Sequence, residues 1–259
     1  MLLEDLNRSL DARVHQALDE LREKDQMLIT QGRQAAMGEM IGNIAHQWRQ
    51  PLNALGMILS NLNDAYRFGE LDLALLERSV ADGSVLVQKM SSTINDFRNF
   101  FRPDKEASAF SALVQIQQAM AMVDAGFRNN GITLQIQSQL DMTLRGFPNE
   151  YSQVILNLLT NAQHAIQKSG TKDGLVTITL STEGNSGCVH VRDNGCGIPP
   201  EILEKIFEPY FSTKEMGTGI GLYMSKQIIE RSMGGRIEAK NVDRGAEFTI
   251  CTPLGKEGP

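Results

Sequence analysis

The chain has 259 residues, enough for two domains, and 41% apolar with 22% charged residues is the composition of an ordinary protein that buries real cores. Its formal net charge of -6 excludes the nucleic-acid-binding class, which needs a clustered positive surface, and leaves small molecules and proteins as partners. No apolar run approaches bilayer-spanning length and Met1 to Leu3 leads straight into charged residues without a signal-peptide pattern, so a cytoplasmic chain with no membrane segment is expected.

From Leu3 to Ala35 apolar residues recur at Leu3, Leu10, Val14, Ala17, Leu21, Leu28 and Ala35, the alternating four-and-three spacing of a coiled-coil seam. The seam restarts in a shifted phase at Met37, Ile41, Ile44, Trp48, Leu52, Leu55, Leu59 and Leu62. Such a shift locally unwinds or overwinds a coiled coil, and marks a joint between an input helix and the first helix of a bundle. His46 lies beside the stripe positions Ile44 and Trp48 rather than on them, which predicts a solvent-facing ring. Pro51 lacks an N–H, leaves the carbonyl of Gln47 without its helical partner, and is expected to bend the helix one turn beyond His46.

Phe68-Gly69-Glu70 interrupts the pattern, and a second helix follows with Leu76, Val80, Gly83, Val87, Met90, Ile94, Phe97 and Phe101 on one stripe. One hairpin cannot bury so continuous a stripe, so two copies should pair into a four-helix bundle, making the chain a homodimer. Arg102-Pro103-Asp104-Lys105 ends this helix and the domain.

The pattern then becomes mixed α/β. Helices are predicted at about 111–129, 150–167 and 221–233, strands at 132–136, 176–180 and 188–192, and a closing hairpin at 236–241 with 247–252. Strands separated by helices point to a sheet with helices on one face. Cys188, Cys196 and Cys251 are odd in number and show no CxxC spacing, so neither a disulfide framework nor a zinc site is expected, and a reducing compartment fits.

Four patches in this half carry polar chemistry. Asn157 and Asn161, four apart, share one helix face, and their amide oxygens suit magnesium, although a lone helical Asn pair is more often a cap or a solvated face. Asp193-Asn194-Gly195-Cys196-Gly197 takes a carboxylate off a strand into a tight glycine turn. Phe207 to Lys214 places aromatic anchors before a cation able to meet a phosphate. Gly217-Thr218-Gly219-Ile220-Gly221-Leu222 opens a helix, so that bare N–H groups can face phosphate oxygens. Each patch alone is a weak signal, and the glycine run is neither a dinucleotide fingerprint nor a P-loop.

In this order the four patches resemble the ATP-binding domain shared by histidine kinases, gyrase, Hsp90 and MutL, over about Phe110 to Leu254. The resemblance implies an α/β sandwich in which Asp193 holds the adenine amino group with Gly195 and Gly197 beside it. It implies Asn161, helped by Asn157, as the contact to Mg2+, and the loop from Phe207 to Gly219 as a lid. His164 falls where relatives often carry a phosphate-facing Lys, Arg or His, whereas Cys196 sits at a variable turn position and is read as a bystander.

Relatives of this domain also include topoisomerases, chaperones and repair proteins, so it leaves the activity open. The stretch Ile44-Ala45-His46-Gln47-Trp48-Arg49-Gln50-Pro51-Leu52 is similar to the H-box of the histidine kinase dimerisation domain, in its His-Gln-Trp-Arg-Gln-Pro-Leu-Asn subgroup. This resemblance implies a multidomain sensor histidine kinase: an α-helical hairpin forming a four-helix bundle, then the ATP-binding domain. It implies ATP and Mg2+ as cofactors and a response-regulator receiver domain as partner, with His46 as phosphoacceptor. The expected divisions are a coiled-coil input helix 1–35, a phosphotransfer hairpin 36–102, a hinge 103–109, the catalytic domain 110–254 and a tail 255–259. Gln47 departs from the pattern, because most such kinases place Glu or Asp after the acceptor, and an amide orients a ring without taking its proton. Gln50 occupies the position where relatives hold water for dephosphorylating the partner, which leaves phosphatase activity open. An ATP-gated assembly protein and a nucleotide-binding pseudokinase are the competing classes.

Overall fold

The computed structural model describes residues 2–102, 104, 106–137, 141–214 and 218–255, and the side chains of some helical residues, His46 and Gln47 among them, lie outside that description. Helix α1 (Leu2–Phe68) runs on through both Ala35 and Pro51, so the expected joint at the phase shift is no break in the helix. Gly69, at φ 72°, turns the chain. Asp72 then accepts the backbone N–H of Leu75 at 2.7 Å and starts α2 (Leu73–Phe100), giving the predicted antiparallel hairpin. Among the described residues no helix is long and apolar enough to cross a membrane.

The second half is a layer of helices on a five-stranded sheet. Helices α3 (Ala112–Asn129), α4 (Pro148–Ser169) and α5 (Gly221–Lys226) pack over strands β2 (Ile132–Ile136), β4 (Gly174–Glu183), β5 (Ser186–Asp193), β6 (Arg236–Val242) and β7 (Gly245–Pro253). The sheet order is β2-β4-β5-β7-β6, parallel only between β2 and β4. Period-2 alternation drives one face into the core through Val176, Ile178, Val189, Val191, Phe248 and Ile250, against Ile116, Tyr151, Ile155 and Leu159. Sequence reading missed a small second sheet of β1 (Ser108–Ser111) and β3 (Thr143–Gly146), whose four-residue strands are too short to show a period. A π-helical turn, Gln227–Ser232, continues α5 over the rest of the predicted 221–233 helix.

One further finding differs from expectation. Cys188 and Cys251 stand opposite each other across β5 and β7 and form a disulfide, which corrects the reading that no cysteines pair. Their sequence separation of 63 hides a contact that only strand pairing creates. The N-terminal part of α1 packs on the second half. Asp25 accepts from Tyr223 at 2.6 Å and pairs with Arg231, while Arg33 reaches Glu150 at 3.5 Å and Gln153 at 3.4 Å. A Cβ on buried Gly32 would meet Met224 Sδ at 2.9 Å, so the helices touch here nearly backbone to side chain.

Within the stretch read as a hinge, Asp104 accepts the N–H groups of Asn149 and Glu150 at 2.8 and 3.3 Å and so caps the start of α4. Pro103 and Lys105 lie outside the described residues.

Candidate functional site

Helix α4 is the wall on which the site is built. It begins with Pro148 in its first turn, ends at Gly170 in the left-handed region at φ 66°, and buries Tyr151, Ile155, Leu158, Leu159, Ala162 and Ile166. Asn157, Asn161, His164 and Ala165 follow one another at four, three and one residues, the spacing of a single helical face. Together they meet three different polar patches.

Asn157 meets the glycine-rich helix start. A Cβ on Gly221 would lie 2.5 Å from Asn157 Oδ1, so only glycine lets α5 approach this closely. The Asn157 amide donates to Ser225 Oγ at 2.9 Å, and Ser225 donates to the carbonyl of Gly221 at 3.0 Å. Leu222 is partly buried in the same turn, and Thr218 accepts the N–H of Ile220 at 3.4 Å. Gly219 adopts φ 67°, and a Cβ there would lie 2.4 Å from the backbone of Tyr210, itself at φ 64°. Gly217 lies outside the described residues.

Asn161 and His164 meet the aromatic–lysine loop. Lys214 Nζ donates to Asn161 Oδ1 at 2.9 Å and stands 2.8 Å from His164 Nδ1. Asn161 Nδ2 points the other way, to Asn157 Oδ1 at 3.5 Å. A cation therefore already stands at the Asn161 oxygen, and a hard amide oxygen turned toward positive charge fits a magnesium ion that keeps most of its waters. Phe207 anchors this loop, packing edge-on to Phe248 with ring centroids 6.5 Å apart and carrying Lys226 Nζ 5.5 Å from its ring centre.

Ala165 meets the aspartate turn. A Cβ on Gly195 would lie 2.7 Å from the Ala165 carbonyl carbon, which seats the turn directly on α4. Asp193 is 4% exposed, and its Oδ1 accepts the N–H of Gly195 at 2.8 Å and of Ala246 at 3.4 Å. Burial pushes its carboxyl above the ordinary carboxylate range, while the two backbone donors pull it back. Gly197, at φ 67°, completes the turn.

Sequence reading missed two residues that hold this turn. Asn241 accepts from Ile198 N at 2.7 Å and donates to Ile198 O at 2.6 Å, tying the turn to β6. Gly245 lies so close to the Asp193 carbonyl that a Cβ would stand 1.9 Å from it. Both sit in the hairpin, where Asn and Gly read simply as turn residues.

In the helical hairpin, Gln50 is exposed on α1, and the side chains of His46 and Gln47 lie outside the described residues. Their backbone belongs to α1, as expected.

Residues 146–256 match the family described as "Histidine kinase-, DNA gyrase B-, and HSP90-like ATPase". The chain is 33% identical over 241 residues to the two-component sensor PprA of Pseudomonas aeruginosa, covering 90% of this chain and 26% of that protein. It is 29% identical over 247 residues to the sensor histidine kinase ZraS of Salmonella typhi, covering 92% of this chain and 48% of that one. The chain thus spans less than half the length of these curated relatives. The solved catalytic domain of the histidine kinase ThkA superposes with a TM-score of 0.51 at 30% identity, covering 57% of this chain and 95% of that one. The glycine turn, the asparagine face and these likenesses together place the chain in the sensor histidine kinase family.

Proposed function

We propose that this chain is the catalytic core of a two-component sensor histidine kinase that moves the γ-phosphoryl group of ATP onto His46 and then onto an aspartate of a response-regulator receiver domain. The observation that carries the reading is the single face of α4 on which the glycine-rich helix start, the lysine loop and the aspartate turn converge. Buried Asp193 has Oδ1 engaged by backbone donors, leaving its second oxygen to accept the adenine amino group. Lys214, His164 and the N–H groups at the start of α5 face the phosphates. Asn161, with Asn157 beside it, would hold Mg2+, which would supply neutralisation of charge on the phosphate oxygens. The catalytic unit corresponds to residues 110–254 and the phosphotransfer hairpin to 36–102.

In the first step His46 Nε2 attacks the γ-phosphorus, the bond to the β,γ-bridging oxygen breaks, and ADP leaves. Gln47 orients the ring by accepting its Nδ1 hydrogen, and neutral imidazole supplies the lone pair near neutral pH. In the second step an aspartate oxygen attacks the same phosphorus and the P–N bond breaks. Gln50 is the group suited to holding water for dephosphorylation of the partner.

The hairpin supports a homodimer. Leu52, Leu59, Val80 and Val87 are 50%, 59%, 57% and 53% exposed, an apolar face that a second hairpin would cover as a four-helix bundle.

The reading is tested by His46→Ala with radiolabelled ATP. Label stable to base and labile to acid should disappear while nucleotide binding stays. Persistence of such label would move the acceptor to another histidine, and phosphate release without any phosphohistidine would make the chain an ATP-gated protein of a different class.

A further inference from the structure

Ser225 is wholly buried, lies on α5 one turn beyond Gly221, and has no part in the nucleotide contacts assigned above. A serine hydroxyl has one hydrogen and two lone pairs. The hydrogen is committed to the carbonyl of Gly221 at 3.0 Å, so toward Asn157, 2.9 Å away, the oxygen can only accept. That forces the NH2 side of the Asn157 amide onto Ser225 and turns its Oδ1 toward the next helical turn. There Oδ1 accepts from Asn161 Nδ2 at 3.5 Å. Asn161 in turn presents Oδ1, not NH2, to the cation, which is the Lys214 ammonium at 2.9 Å.

We propose that Ser225 is a positioning residue for divalent-metal binding, setting the polarity of an amide relay that runs from Ser225 through Asn157 to the Asn161 oxygen. The polarity matters because a flipped Asn161 amide would aim its donor hydrogens at a metal ion. A buried hydroxyl is needed at position 225 because an apolar side chain would leave the Asn157 donor without its acceptor and remove the preference between the two amide orientations. The close approach at Gly221, where a Cβ would reach Asn157 Oδ1 at 2.5 Å, holds α5 near enough for the relay to span two helices.

This inference rests on the assignment of Asn161 to Mg2+, and its test separates the two. Affinity for a non-hydrolysable ATP analogue is measured by calorimetry on the whole chain, with excess Mg2+ and with EDTA, so that each variant gives its own metal increment. General destabilisation cancels in that ratio. Ser225→Ala should reduce the increment about 5- to 30-fold while leaving the affinity in EDTA within about twofold, the scale expected for one unsatisfied buried donor. Ser225→Thr, which keeps the hydroxyl, should retain the increment, and Asn161→Ala should abolish it. An increment unchanged in Ser225→Ala while Asn161→Ala loses it overturns the proposal alone. Equal loss by Ser225→Ala with and without Mg2+, or failure of Ser225→Thr to keep the increment, reduces Ser225 to a packing residue and overturns it too. An increment that survives Asn161→Ala overturns the metal assignment itself, and the relay with it.

Discussion

Lys214 and Asn161 meet through a 2.9 Å hydrogen bond from the ammonium to the amide oxygen, 53 residues apart in the chain. That oxygen is the one assigned to Mg2+, so metal and lysine compete for it, and arrival of the metal–nucleotide complex should release Lys214 toward the phosphates. Lys214→Met should therefore weaken binding of ATP in excess Mg2+ about three- to tenfold, below the range for charge-assisted bonds because the lysine is exposed to water. Calorimetry decides it: an unchanged affinity removes Lys214 from the phosphate contact.

Asp193→Asn should separate stability from binding. Asparagine keeps an oxygen for the Gly195 and Ala246 donors and discards a buried charge, so the ligand-free variant should melt no lower than the parent at neutral pH. The sign follows from the raised pKa. A carboxyl held above its ordinary 3.8 contributes stability that is present below that value and lost as pH rises through the folded-state pKa. Parent and variant should thus converge in stability as pH falls toward 4. Nucleotide affinity should drop by about 1 to 3 kcal/mol, because the amide presents a donor to the adenine amino group. Near-parental affinity would take the adenine role from Asp193.

The contact between α1 and α5 has an optical signature. Burial first, then the hydrogen bond and charge of Asp25, push the Tyr223 phenol up to about 12, against relief from Arg231. Stability from this contact is intact below the ordinary 10.0 and lost as pH rises through about 12. Asp25→Asn should shift one tyrosine ionisation down toward 10, read as tyrosinate absorbance. A titration identical in parent and variant would show that α1 does not dock there in solution.

Gln47→Glu tests the orienting role of the amide. A carboxylate beside His46 favours the imidazolium, so the low-pH limb of autophosphorylation should move upward in pH. The plateau rate should rise modestly, well short of the 10² to 10⁴ typical of general-base help, since neutral imidazole already offers its lone pair. Rates from about pH 5.5 to 8.5 at saturating ATP check this across the imidazole range. A variant inactive at every pH would show that the amide's own donor is required.

Much of the architecture was legible from local pattern alone. The four-and-three stripes of α1 and α2, the alternation of β2, β4 and β5, and the break at Gly69 lie in the sequence because backbone geometry repeats over a few residues. The four polar patches were visible as well, and their order carried the family resemblance. What local pattern does not hold is adjacency between distant segments. The Cys188–Cys251 pairing depends on the register of β5 with β7, and the docking of Asp25 on Tyr223 and Arg231 depends on where a 67-residue helix passes the second half. Ser225 reads as one more residue of an amphipathic turn until Gly221 lets α5 close onto Asn157, and Asn241 reads as an ordinary hairpin residue until it bridges to Ile198. The direction of a hydrogen bond, and so which atom of Asn161 faces a cation, is decided by every donor and acceptor packed around it, and those come together only when the chain is folded.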